Sequence, residues 1–597
     1  MNKWMRPAVS PAGNYIAVYR CCFETAAAAD LSFRYSADNR AQLFLDGRRI
    51  ADGPERGTPE YWYAGDVSLK LAPGKHILTA RVFCLDPEIS RRQCAYAQMT
   101  VAHGFFIEER SGLLSIWQVQ IEEGCIFSNP FPDWGTFPRV RVTRDHNHRI
   151  LSGEGGLWQD VVYFEDSREL HEADLPPMRY DKIEPQKRKE GLYYFPRYIC
   201  AWQEIRFSGC GTVEIRWAET PYHRPEVDPV SFKGEKKKRD GQFIVAEPDI
   251  FEVDGSYVWF DYWWHAGHYV EIKTTGDVRY EISFFRTGYP YEDFKPRDVL
   301  EKMAFETLEN CSFETYMDCP YYEQLMYIGD SRLEALCTYL LTDDHRLPAK
   351  ALKMLGFSQR EDGSLNAQYP SCSYQTIPSF MLIWLLMLSD YWRLHGEDEL
   401  VRSLRPRGEK LLAYFDRQMV DGLLFIDGWG FVDWCSSWKS GVPPGEGANS
   451  PMNLLYLLVL QRMEEMALLP DLKEKAVKLA LRIREAFFVP EEGLYALDLE
   501  KKYFSEHPQA LALLALGDER VIPGLRQKEM TKCSIYFSYY YLEACQKFSL
   551  DDLLEKRLDS WRRLADEGLT TFPEEFENPR SDCHAWSSHI LSILLKR

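Results

Sequence analysis

MDCPYYEQLMYIGDSR, residues 317–332, sets Asp318, Glu323 and Asp330 among tyrosines and aliphatic residues. Pro320 suits a first helical turn, where its missing N–H costs nothing. Asp318 lies just before it, as a cap would. The spacing therefore predicts a helix on which Glu323 and Asp330, seven residues apart, share a face. Leu325, Tyr327 and Ile328 surround them. Apolar surroundings or a second carboxylate raise a carboxyl pKa, as a general acid near neutral pH requires. A capped helix with two exposed acids has the same spacing, so this stretch alone leaves both readings open.

Outward from it, the chain changes character near residue 295. Before that point the pattern is short and alternating. AQLFLDGRRIADGP (41–54) reads as strand, Asp-Gly turn, strand. KHILTARVFCL (75–85), TVEIRWAE (212–219), YVEIKTT (269–275) and VRYEISFFRTG (278–288) alternate like half-buried strands. Such runs, separated by turn signals, suggest β-sandwiches. The expected units are residues 1–155, an acidic linker over 156–184, and a second sandwich over 185–294. After 295 the period is helical. SRLEALCTYLL (331–341), TIPSFMLIWLLMLSDYWRLHG (376–396), NLLYLLVLQRMEEMALL (453–469), KEKAVKLALRIREAFF (473–488), PQALALLALG (508–517), YYYLEACQKF (539–548) and SSHILSILLKR (587–597) carry it. No fixed repeat favours a solenoid. Residues 295–597 are expected to close into an α/α toroid, with aromatic loops such as FIDGWGFVDWCSSWKSGVPPGEG (425–447) at its mouth.

Composition bounds the function. The 597 residues include 17 Trp and 34 Tyr, enough for large cores and for stacking faces against sugars. The net charge of −19 argues against a nucleic-acid partner. The basic run Lys236–Arg239 reads as a solvated loop. Fifteen cysteines, with no CxxC pair or zinc-like cluster, suggest reduced thiols in a cytoplasmic protein. The first residues lack an apolar h-region. The longest apolar run, Phe380–Leu388, is too short to span a bilayer. No cofactor signature and no metal site are read from the sequence.

A second acidic cluster, TTFPEEFENPRSDCHAW (570–586), holds Glu574, Glu575, Glu577, Asp582 and His584. By itself it also fits a surface loop, although Phe572, Phe576 and Trp586 make it aromatic for one. Two distant carboxylate clusters suit glycoside cleavage, in which one acid protonates the leaving oxygen and one base activates water.

The segment DCPYYEQLMYIGD (318–330) resembles the signature of glycoside hydrolase family 78, the α-L-rhamnosidases, roughly D-C-P-x-x-E-x-x-x-W-x-G-D. The order of domains is similar too: N-terminal β-sandwich domains followed by an (α/α)6 barrel of the six-hairpin type, with the C-terminal β-sandwich common in the family not expected here. RAQLFLDGRRIADGP (40–54) looks like the family's N-terminal carbohydrate-binding-like sandwich. The resemblance implies an exo-acting, inverting α-L-rhamnosidase with no cofactor, acting on a carbohydrate substrate. It implies Glu323 as general acid, and Asp318 and Asp330 as carboxylates that hold sugar hydroxyls. TFPEEF (571–576) looks like the family's T-x-W-E-x-W, which makes Glu574 the general base and Glu575 the fallback, because Pro573 stands where the family has Trp. His584 resembles a sugar-binding His. Asp433 and Trp434 fall where the family has a sugar-contacting pair, with Trp429 and Trp438 as alternative stacking residues. Tyr322 stands where the family usually has Arg, and Tyr327 where it has Trp. Both are expected to line the pocket, and both open the alternative of a different sugar. A sugar-binding homologue without turnover is the remaining alternative.

Overall fold

The structure, a computed structural model, describes residues 2–86, 98–128, 139–224, 233–234, 236 and 241–597. The hairpin expected at 41–54 is present. Strands Arg40–Leu45 and Arg48–Gly53 pair antiparallel, and Asp46 and Gly47 between them have φ of 51° and 74°. Positive φ at both central residues gives a turn whose twist matches that of the strands. The hairpin belongs to a six-stranded sheet, which faces a five-stranded sheet. Tyr19, Phe33, Leu43, Val82, Phe105 and Trp117 fill the space between them.

Sheet membership does not follow the units drawn from sequence. Val162–Asp166, inside the expected linker, pairs with Asn2–Arg6 and completes the first sandwich. Cys125–Ser128 and Arg139–Val142, inside the expected first unit, join the second sheet through Asp249–Asp254. Where 185–294 was expected to form two facing sheets, the described strands join in one eight-stranded sheet that doubles back. Leu192–Ala218 is long, and its pairing shifts register around Ala201. It therefore flanks His265–Arg286 on both edges, so that Val270 pairs with Tyr193 on one side and Trp217 on the other. YVEIKTT and VRYEISFFRTG run on as one strand through Gly276.

The helical part has two kinds of helix. Leu472–Phe487 buries Leu472, Ala476, Leu479, Ile483 and Phe487, a single stripe at helical spacing. Glu506–Leu516 is buried along nearly its whole length. Ile328–Leu341 packs on Pro378–His395, that on Ser450–Glu465, that on Glu506–Leu516, and that on Ser538–Lys547. The C-terminal turn Ala585–His589 and helix Ile590–Leu594 return against Ile328–Leu341. Helices such as Arg346–Phe357, Glu399–Asp416 and Leu472–Phe487 pack outside this sequence of neighbours. None of the helices among the described residues is long and apolar enough to cross a membrane.

The opening segment departs from its expected helix. The helix begins at Ile328, with Tyr327 as its cap residue. Gln324 has φ of 60°, a left-handed conformation that a helix interior excludes. Residues 318–327 instead form a loop closed on itself: Asp318 Oδ1 accepts from the Leu325 N–H at 2.8 Å, and the Gln324 N–H donates to the Cys319 carbonyl at 3.0 Å. Glu323 and Asp330 therefore share no helix face. The second β-sheet grips this loop. Trp263 Nε1 donates to Gln324 Oε1 at 2.7 Å, and the Tyr321 hydroxyl donates to the Trp217 carbonyl at 2.8 Å.

Candidate active site

A cleft of about 260 Å³ opens where this loop meets the helix ends. Asp318, Glu323, Tyr327, Asp330, Trp429, Trp434, Glu574 and His584 all line it, with Phe380, Phe431, Arg580 and Trp586. Residues more than two hundred positions apart in the sequence thus meet. Two backbone contacts bring the C-terminal segment in: the Ala585 N–H donates to the Asp318 carbonyl at 2.7 Å, and the His584 N–H to that of Phe572 at 2.9 Å. Asp330 sits in the first turn of its helix, where the helix dipole favours an anion.

One guanidinium joins the two distant carboxylates. Arg580 Nη2 donates to Glu323 Oε1 at 2.8 Å, and its Nε lies 3.6 Å from Glu574 Oε2. Glu323 and Glu574 are therefore separated by little more than the width of a guanidinium and two contacts. Arg580 lies over the ring of Tyr322 at 5.2 Å. Sequence reading missed this residue. Its signal is a lone arginine in an otherwise acidic, aromatic segment, which identifies a cation without identifying its partners. Tyr322 stands where the resembling family usually has Arg, and here Arg580, from another segment, supplies a guanidinium to the site.

The carboxyls sit in different electrostatic settings. Burial pushes the Asp318 carboxyl well above the usual range, and Glu323 and Asp330 add to the rise. Burial raises Asp330 as well, against the opposing pull of His584. For Glu574, burial is outweighed by His584, Arg580, the Ser581 N–H and Lys233, which hold its carboxyl below the usual range. Glu575 does not line the cleft, and burial beside Glu574 pushes it up to about 7. His584 is buried, and burial disfavours its charge, but Asp330, Glu574 and Asp318 together raise its pKa. Its Nε2 lies 3.3 Å from Asp330 Oδ1. Neither ring nitrogen, nor Asp330 Oδ1, has a well-aligned hydrogen bond. Such atoms at a cleft wall are placed to bond hydroxyl groups of a ligand.

Three expected site residues fall elsewhere. Asp433 does not line the cleft. Its carboxylate is buried against His507 Nε2 at 2.7 Å, the Ser534 N–H at 2.8 Å and the Ser534 hydroxyl. Phe431 and Trp434 line the cleft, while the Asp433 carboxylate between them is taken up by His507 and Ser534 behind it. Trp438 packs on His507 at 4.4 Å, away from the lining. Tyr322 is buried edge-on to Tyr321 and also leaves the lining. Lys236, expected in a solvated loop, pairs with Asp582 at 2.9 Å. Residues 237–239 of that run lie outside the described residues.

Among the described residues, two trios could hold a metal ion, Asp318–Cys319–His584 and Asp433–Cys435–His507, each with donor atoms within 4.8 Å of one another. In the second the donors bond one another directly. Asp433→Asn replaces an acceptor facing two N–H donors with a donor. The expected result is a stability loss of about 1–3 kcal/mol, read as a lowered Tm, with kcat on any substrate nearly unchanged. A sugar-contacting Asp433 would give the opposite pattern, a kinetic loss at unchanged Tm.

Residues 297–515 match the family model described as the bacterial alpha-L-rhamnosidase 6 hairpin glycosidase domain. The fold as a whole is that of the α-L-rhamnosidase structures on which the chain superposes. The family 78 rhamnosidase of Bacillus sp. GL1 superposes with a TM-score of 0.81 at 15% identity, over 99% of this chain and 91% of that one. The α-L-rhamnosidase of Aspergillus terreus gives 0.71 at 14% identity, over 99% and 76%. That of Dictyoglomus thermophilum gives 0.69 at 15% identity, over 99% and 73%. No curated protein matches the sequence.

Proposed function

We propose that the protein is an exo-acting glycoside hydrolase, an inverting α-L-rhamnosidase that releases terminal rhamnose from oligosaccharides or glycoconjugates. Glu323 is the general acid and Glu574 the general base. The closed sequence of helix neighbours is read as an (α/α)6 barrel whose mouth is the cleft. The observation that carries this reading is the pairing of Glu323 with Glu574 across Arg580, in a cleft walled by Trp429, Phe431, Trp434 and Trp586. Inverting pairs stand about 6.5–9.5 Å apart, leaving room for a water. Asp318, Asp330 and His584 hold the sugar hydroxyls, and the aromatic wall takes the apolar face and the 6-methyl group. The described cysteines are free thiols, which fits a reducing, cytoplasmic setting.

The test is a panel of aryl glycosides that includes the α-L-rhamnoside. Turnover of the rhamnoside is expected, and proton NMR in the first minutes should detect the β anomer of free rhamnose. First-formed α-rhamnose would refute inversion. The second reading, a different sugar, is favoured by one observation: the Tyr327 hydroxyl lies in the cleft 3.4 Å from Glu323 Oε2, a polar group where a methyl would need an apolar wall. That reading predicts turnover elsewhere on the panel. Thermal stabilisation by sugars with no turnover at all would indicate a binding protein instead.

A further inference from the structure

Arg580 reaches the carboxylate pair from a short loop, and something must hold that loop. Its neighbours Asn578, with φ of 48°, and Pro579 are not in regular structure. The hold comes from the second β-unit. Lys233 Nζ donates to the carbonyl of Arg580, to that of Pro579 at 3.4 Å, and to Asp582 Oδ1 at 3.0 Å. An ammonium has three donors, and these are its three acceptors. Lys233 also lies 3.5 Å from Glu219 Oε2, and its ring contact with Tyr322, at 5.9 Å, falls on the tyrosine that Arg580 covers. Asp582 has further anchors: Thr220 Oγ1 at 2.6 Å, Lys236 at 2.9 Å, and its own N–H on Glu219 Oε2 at 3.0 Å. Only Lys233, among the described residues, grips the two carbonyls on the Arg580 side. Buried between Asp582 and Glu219, its amino group is held charged: the two carboxylates outweigh burial, which acts in the opposite direction.

We propose that Lys233 is a positioning residue of the active site, which fixes the Pro579–Asp582 loop so that the Arg580 guanidinium stays between Glu323 and Glu574. This rests on the reading of that pair as catalytic. The β-unit then contributes to the chemistry rather than only supporting the helices. A lysine placed here draws the carbonyl of Arg580 inward by charge-assisted hydrogen bonds, which are stronger than neutral ones. Without it the Pro579 and Arg580 carbonyls lose their partner, and this end of the loop can shift about its remaining anchors, Asp582 and the Ser581 carbonyl, which accepts from the Glu574 N–H at 3.0 Å.

The test compares the full-length protein with Lys233→Met, Arg580→Met and the double variant. In a crystal structure of Lys233→Met, Arg580 should leave hydrogen-bond reach of Glu323 while Asp582 stays near Thr220. With the best glycoside of the panel, kcat/KM should fall roughly tenfold to a hundredfold, the scale of a small misplacement at a reacting centre. In the Arg580→Met background the same change should cost nothing further, and Lys233→Arg should restore part of the rate. An unmoved Arg580, or losses that multiply in the double variant, would overturn the proposal. If Lys233→Met folds poorly because Glu219 and Asp582 then face each other, Lys233→Met/Asp582→Asn removes one of the charges and is read in the same way. A wild-type protein that turns over no glycoside defeats the proposed function alone, since the crystal structures still decide whether Lys233 places Arg580.

Discussion

Glu574→Gln is expected to lower kcat by about 10²–10⁴-fold on natural and activated aryl glycosides alike, because attack by water needs a base whatever the leaving group. The substitution keeps shape and removes the negative charge. Glu574 suits the role because His584 and Arg580 hold its carboxyl below the usual range despite burial. It is therefore ionised throughout the neutral range, and base catalysis is lost only as pH falls through that lowered value. An acid limb of the kcat profile should accordingly lie below the usual carboxylate range, and should move upward when Arg580 is replaced by Met. Added azide should partly restore Glu574→Ala by replacing the activated water. Glu575→Gln should change kcat only slightly, since Glu575 stands outside the cleft lining. If Glu575→Gln abolishes turnover and Glu574→Gln does not, the two roles are exchanged.

Glu323 and Glu574 were singled out through the resemblance of two short motifs, each of which the residues alone left open between a surface and a site reading. The switch from alternating to helical period near residue 295 was plain, since it depends only on which side chains are apolar. What the sequence hid was long-range or stereochemical. Asp318 looks like a helix cap because it precedes Pro320, yet it caps a loop, and the left-handed Gln324 that separates the two outcomes carries no sequence mark. Asp433 looks like a site residue because it lies between Phe431 and Trp434, yet its partners are His507 and Ser534, distant in the chain. Lys233 and Arg580 sit 347 residues apart and meet only because the second sheet folds back against the C-terminal loop. The strand that serves both edges of its neighbour has the same cause: alternation reveals that a strand exists but not how many partners it takes.

Glu323→Gln should behave differently from Glu574→Gln, and the difference identifies the acid. An acid matters most when the departing oxygen is a poor leaving group. On a natural glycoside the loss should therefore reach about 10²–10⁴-fold, and on an aryl glycoside whose phenolate leaves unaided it should be much smaller. The geometry makes the demand on Glu323 specific. Its Oε1 accepts from Arg580 and its Oε2 faces the Tyr327 hydroxyl, so both oxygens are met by donors. To act as an acid it must present a proton to the departing oxygen from within this set of donors. Asp318 and Asp330, whose carboxyls burial drives toward the neutral form, flank the same cleft. The leaving-group dependence of Glu323→Gln, plotted against phenol pKa for a series of aryl glycosides, should be steep where the wild-type plot is shallow. Equal losses on every leaving group would remove Glu323 from the acid role. Asp330→Asn and Asp318→Asn would then be the variants to measure on the same series, since those two carboxyls remain protonated at higher pH than an ordinary one.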